Sequence, residues 1–239
     1  MRRTLVIAGA VVAVLALAGA AGAYAYFFSG LRAAPAPLAL ASPSPASPAT
    51  ATTPGGLAGK WTVGSGSIVR YRVREQFVGQ SSPHEAVAET PDVSGGLAVA
   101  QNSSGLTASN LDFTAQVGTL KSVDSVAGFN VTNRDRIVNN TLQVSRFPTA
   151  SFQAASVALP AELAAGQQVT LKVPGKLTLH GVTRDATAEV TVQASGQKAQ
   201  VNGQLNIDMT DFGVQPPQVG FTSVESATTI EFELLLARS

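Results

Sequence analysis

Only two histidines, His84 and His180, and no cysteine are available in this 239-residue chain for general-base or metal chemistry. Hydrolysis would require a nucleophile beside a base, or a metal. His84 follows Ser81-Ser82-Pro83 in a loop with Glu85 adjacent, and His180 sits on the polar side of a strand where a turn begins. No metal-ligand spacing links the two, so each reads as a solvated or locally bonded side chain, and no catalytic or metal-binding set is assigned. The lack of cysteine excludes thiol catalysis, thiolate metal sites and an acylated lipoprotein cysteine. Two charged clusters remain. Arg70, Arg72 and Arg74 form a stripe that fits a charged outer strand face, with a grip on an anionic head group as the alternative. Arg134-Asp135-Arg136 fits the start of a helix, where Asp135 favours the positive end of the helix dipole.

The elements that would position these residues are strands. From Val169 to Asp211 apolar and polar side chains alternate for some forty residues: Val169, Leu171, Val173, Leu177 and Leu179, then Ala186, Ala188, Val190, Val192 and Ala194, then Val201, Gly203, Leu205, Ile207 and Met209. A period of two gives each strand one dry and one wet face. Ile68–Phe77, Gly95–Ala100, Leu106–Val117, Ala150–Leu159 and Thr229–Leu236 repeat the pattern, making about eight strands. Amphipathic strands joined by short turns predict an antiparallel sheet closed into a barrel or folded into a sandwich. One short helix is expected over Asn133–Asn140, where Thr132-Asn133-Arg134-Asp135 fits a capping box. Small residues on the inward faces (Ala154, Ala186, Ala188, Ala194, Gly203) leave room inside, and a barrel of about eight strands either packs solid or holds one small ligand.

The ends of the chain are a different matter. Arg2-Arg3 precedes an uninterrupted apolar run, Leu5–Phe28, of 24 residues. That exceeds a secretory signal core of about 7–15 residues and matches a span of about 20. Tyr24, Tyr26, Phe27 and Phe28 resemble an interfacial aromatic belt, which favours an uncleaved anchor over residues 1–32; Ala-Gly-Ala triplets keep signal cleavage as the alternative. The arginine distribution places the following domain outside the cytoplasm, membrane-held, or secreted or periplasmic if the leader is cut. Residues 33–56, rich in Pro, Ala, Ser and Thr and free of charge, are expected to form a semi-extended tether reaching about 75 Å. Residues 57–239 suffice for one domain. Thirteen Lys/Arg against fifteen Asp/Glu there leave no basic field for nucleic acid.

Five blocks in order carry a resemblance: Trp61-Thr62-Val63 with Ile68; Asn133-Arg134-Asp135; Arg146-Phe147-Pro148 with Ser151-Phe152; Val173-Pro174-Gly175-Lys176-Leu177-Thr178-Leu179-His180-Gly181-Val182-Thr183-Arg184; and Asp211-Phe212-Gly213-Val214. Across residues 57–239 the chain resembles the YceI-like, polyisoprenoid-binding family. The resemblance implies an all-β, lipocalin-like antiparallel barrel that is exported and carries a long isoprenoid, a quinone or polyprenyl chain, without catalysis or a cofactor. On that reading Phe113, Phe129, Phe152, Leu177, Leu179, Leu205, Ile207 and Phe212 are the expected wall of an apolar tunnel. The partners would be the lipid and, through the N-terminal helix, the membrane; a homodimer could form through an open sheet edge. The rival reading is a solid-cored structural or adhesive module of the envelope.

Overall fold

The computed structural model describes residues 32–39, 56–78, 83–103, 105–126, 132–220 and 222–239. The apolar run Leu5–Phe28 lies outside them. Among the described residues no helix is long and apolar enough to cross a membrane.

In chain order the elements are β1 (Arg32–Ala33), β2 (Gly59–Val63), β3 (Ile68–Phe77), β4 (His84–Thr90), β5 (Val93–Asn102), β6 (Gly105–Gln116), β7 (Lys121–Ser122), β8 (Ser125–Val126), α1 (Thr132–Thr141), β9 (Thr149–Leu159), β10 (Val169–Leu179), β11 (Val182–Ser195), β12 (Lys198–Asp208), β13 (Gln218–Val219) and β14 (Thr222–Arg238). The expected long alternating run becomes β10, β11 and β12, and the expected helix forms as α1.

β14 organises the closure. Its C-terminal end pairs with β2 (Leu236↔Val63) and its N-terminal part with β3 (Ile230↔Tyr71), so β2 and β3 lie end to end along one side of it. Ser67 makes the bend between them by donating its hydroxyl to Gly64 O and accepting Leu235 N–H. β4 and β5, separated only by Pro91-Asp92, form a second bent line against β3 and β2. β6, β9, β10 and β11 follow, and β12 returns to the other side of β14 from Lys198↔Ala237 to Asp208↔Ala227. The result is a closed antiparallel barrel of eight strand lines with one helix. Closure removes long free edges, as a barrel does; at the end of the sheet stands the two-residue β7.

Small inward residues do not simply leave space. A Cβ on Gly203 would lie 2.4 Å from the Phe232 ring, and one on Gly175 would lie 2.5 Å from the Phe152 ring. These glycines seat aromatic rings from the adjacent strands β14 and β9, so these two inward positions are filled.

The stretch expected to hang free as a tether is docked in part. β1 pairs with β8 (Arg32↔Val126), Arg72 donates to Pro35 O at 2.8 Å, and Arg70 donates to Ala36 O at 3.2 Å. Leu38 N–H donates to Glu231 Oε2 at 3.3 Å. Residues 32–39 therefore form a strap across the outer arginine stripe. The physical reason is that a Pro-rich segment leaves its carbonyls without internal partners, and Arg70 and Arg72 have spare N–H donors after pairing with Glu89, Glu85 and Glu231.

Candidate functional site

The inward faces enclose three cavities in series. The one at the helix end is about 170 Å³ and is walled by β3, β14, α1 and the β12 end, with Val69, Tyr71, Ile137, Leu142, Leu179 and Ile230 among its residues. A middle one of about 80 Å³ shares Val69, Ala115, Ala150 and Ile230 with it. A third, about 100 Å³, shares Phe113, Phe152, Phe232 and Leu234 with the middle one and ends on Trp61, Leu57 and Leu163. Trp61 closes that end: it is 3% exposed and its indole N–H donates to Leu57 O at 2.9 Å. The three lie in series and share wall residues, with Phe113, Phe152 and Phe232 between the second and third, Trp61 at one end and α1 at the other. Val69, Tyr71, Ile207 and Ile230 point inward yet remain half-buried, because the space they touch is the cavity.

The helix end holds a buried polar cluster. Arg134, from the first turn of α1, donates Nη1–H to both oxygens of Asp124 at 2.6 and 2.8 Å, and Nη2–H to Glu75 Oε1 at 2.5 Å. His84 Nε2 lies 2.7 Å from Asp124 Oδ2, and Val87 N–H donates to Asp124 Oδ1 at 3.1 Å. Burial opposes ionisation of Asp124 most strongly, but hydrogen bonds from His84 and Arg134 outweigh it and hold the carboxyl below its usual range. For Glu75 burial wins, and its carboxyl is raised despite the Arg134 charge. Burial likewise raises the Tyr71 hydroxyl, so it remains a neutral O–H. Glu75, His84 and Asp124 bring ligand atoms within 4.8 Å of one another. The Arg134 guanidinium already bonds both carboxylates, so the group is a closed salt-bridge network and suits no metal ion.

Of the residues expected to wall a tunnel, Phe113, Phe152, Leu177 and Leu205 line the middle cavity, and Leu179 and Ile207 the helix-end one. Phe212 lines none of the three: it is 2% exposed and packed with Leu177, Leu179 and Val214. Phe129 lies outside the described residues. His180 is locally bonded, as expected. It sits at positive φ with Gly181 in the two-residue β10–β11 turn, its Nδ1–H donates to Phe212 O at 3.3 Å, and its ring meets Phe147 edge-on at 4.7 Å. His84 is also bonded but fully interior, at 4% exposure. The arginine stripe is an outer face, as read. Arg134, read as a helix start only, is the centre of the buried cluster, and Asp135 accepts from Ser122 N–H and Oγ–H. Sequence reasoning missed Tyr71, Glu75, Asp124 and Arg134 as one group. The available signal was Glu75 standing on the otherwise apolar inward phase Val69-Tyr71-Val73.

The YceI-like domain family matches residues 65–236. UPF0312 proteins of Pseudomonas savastanoi pv. phaseolicola (strain 1448A / Race 6) and Pseudomonas putida (strain W619) are 31% identical over 112 residues and 27% identical over 110. These alignments cover 44% and 43% of this chain, and in both cases 54% of the relative, so the chain spans about half the length of the curated relatives it matches. The fold is similar to a polyisoprenoid binding domain from Saccharophagus degradans implicated in plant cell wall breakdown, with TM-score 0.54, 15% identity, and coverage of 76% of this chain and 99% of that one. A barrel built on β14, with the matched segment running from the β2–β3 bend to the last strand, places the chain in the YceI-like domain family.

Proposed function

We propose that the protein is a membrane-tethered, extracytoplasmic carrier that holds an isoprenoid chain, quinone or polyprenyl, inside the barrel, and that it performs no catalysis. The observation that carries this reading is the series of three apolar cavities between α1 and Trp61, each sharing wall residues with the next. Each methylene withdrawn from water there contributes about 0.8 kcal/mol, so a chain of tens of carbons needs few polar contacts. Two further supports are the family and the similarity to a domain described as polyisoprenoid-binding. Each cavity is smaller than the roughly 300–1,000 Å³ of most ligand sites, so a bound chain must turn aside the Phe113, Phe152 and Phe232 rings. The domain would lie outside the cytoplasm, held by the Leu5–Phe28 run, and the strap would keep it near the bilayer that supplies the lipid.

The test is native mass spectrometry of the full chain taken from a membrane fraction, with solvent extraction of bound lipid, beside an Ala150→Phe variant. Ala150 stands at the neck shared by the first two cavities. A stoichiometric isoprenoid adduct in the wild type, lost in the folded variant, is the expected outcome. A wild type that is empty and takes up no added isoprenoid would favour the solid structural module instead.

A further inference from the structure

We infer that the barrel stands on the bilayer with its α1 end against the lipid surface, Val78 and Val123 making the contact and the Trp61 end pointing away. This rests on the reading of a membrane-tethered carrier and adds which end of the barrel meets the membrane.

The strap sets the geometry. It starts at the α1 end, where Arg32 pairs with Val126, two residues after the Asp124 that binds Arg134. From there it runs away from that end: Pro35 O meets Arg72, Ala36 O meets Arg70, and Leu38 N–H reaches Glu231, the residue paired with Arg70. The chain therefore arrives at the barrel from the α1 side. The apolar run expected to span the membrane ends at Phe28, and only Ser29, Gly30 and Leu31 separate it from Arg32. An extended chain covers at most about 3.3–3.6 Å per residue, so Arg32 lies within about 14 Å of the end of that run. A free tether over residues 33–56 would let the domain turn either way; docking from Arg32 onward removes that freedom.

The surface at that end fits the contact. Among the described residues two large apolar side chains stand exposed, Val78 at 77% and Val123 at 39%. Val78 follows the last residue of β3, the strand whose Glu75 accepts from Arg134. Val123 immediately precedes Asp124, and its N–H donates to Val87 O at 2.9 Å, which fixes its backbone. Single exposed apolar residues are ordinary on a protein surface, but these two share the end at which the chain enters. Two valines would not hold a free domain on a bilayer. A tether of a few residues makes the contact intramolecular, so they need only select an orientation. Exposed charges of both signs surround this end, Arg74, Arg136 and Arg146 among the cations and Asp211 and Glu225 among the acids, so no particular lipid charge is demanded. In this orientation the cavity under α1 faces the bilayer, and an apolar chain passes between the two without crossing bulk water.

The chain has no cysteine, so single cysteines can report position in the full chain held in phosphatidylcholine nanodiscs. Val78→Cys and Val123→Cys mark the α1 end, and Lys198→Cys marks the Trp61 end, where β12 begins opposite Ala237. All three replaced side chains are exposed, so folding is spared. Each cysteine carries bimane, and its quenching by lipid spin-labelled in the head group is read. The eleven residues of β12 separate the two ends. At about 3.3 Å per residue and a strand tilt of about 40°, that is about 25 Å along the barrel axis, so quenching at 78 and 123 should exceed that at 198 at least about threefold. Equal quenching at the three sites, stronger quenching at 198, or none at any site in a chain that stays with the nanodisc overturns the orientation while the tether stands. A chain that does not stay with the nanodisc overturns the tethered reading itself, and the inference with it.

Discussion

Replacing Arg134 by Met is the sharpest test of how the buried cluster is held. The substitution keeps an unbranched stem in α1 and removes the donor to both carboxylates, which are 0% (Asp124) and 5% (Glu75) exposed at the side chain. Removing one partner of a buried ion pair costs about 3–5 kcal/mol, because the remaining charge is stranded. Arg134 itself is 15% exposed and borders the cavity, which places the expected loss at the lower end, about 3 kcal/mol at pH 7. For a domain of this size that corresponds to a fall in Tm of roughly 6–12 °C. Denaturant unfolding followed by far-UV circular dichroism measures it. Two internal controls follow from the same physics. Lowering the pH to 5 should recover part of the loss, since unpaired buried carboxyls protonate readily. Neutralising the stranded partners in the triple variant Arg134→Met/Glu75→Gln/Asp124→Asn should bring stability back to within about 1–2 kcal/mol of wild type, the range seen when buried pairs are replaced as a set. A single-variant loss below about 1 kcal/mol, or a triple variant no better than the single, would refute the claim that these charges depend on Arg134.

The two carboxyls of that cluster should also pull the pH dependence of stability in opposite directions. Asp124, held below its usual 3.8, contributes stability above that value and loses it as pH falls through its folded pKa; Glu75, raised above 4.5, favours the folded state when protonated and loses that contribution as pH rises through its folded pKa. Thermal melts from pH 3 to 7 should therefore show Glu75→Gln lacking the decline above pH 4.5 that wild type has; parallel curves would refute the assignment. The strap offers an independent measurement: Arg72→Ala removes the donor to Pro35 O and a partner of Glu231. Hydrogen exchange at Leu38 and protease cleavage within residues 33–39 should both accelerate while β10–β12 amides remain protected. Unchanged rates would mean the segment is not held there by this arginine.

Much of the architecture was legible because strand side chains alternate with a fixed period: Val169–Ile207 identifies three strands and their inward residues from local pattern alone, and places His180 where a turn begins, although the strand resumes at Val182, earlier than the alternation shows. The wall residues Phe113, Phe152, Leu177, Leu179, Leu205 and Ile207 follow from the same phase, since an inward apolar residue in a barrel faces either packing or cavity. Phe212 shows the limit: it stands out of phase with Ile207 and Met209, in the helical turn after β12, which buries it against Leu177 and Val214. Local pattern also made residues 33–39 look like a free tether, because nothing within that segment reveals that Arg70, Arg72 and Glu231, up to 193 positions away, supply its partners.

The sequence by itself determined the strand periodicity, the helix at α1, the charge balance and the absence of thiol chemistry, all properties of composition or of residues a few positions apart. The tertiary structure decided which inward positions are filled and which are open, because Gly203 and Gly175 receive rings from neighbouring strands. It also assembled Glu75, His84, Asp124 and Arg134 from four separate segments. Their meeting depends on closure of the barrel through β14 and the seating of α1, and the energy of a buried charge depends on that environment rather than on the residue that carries it.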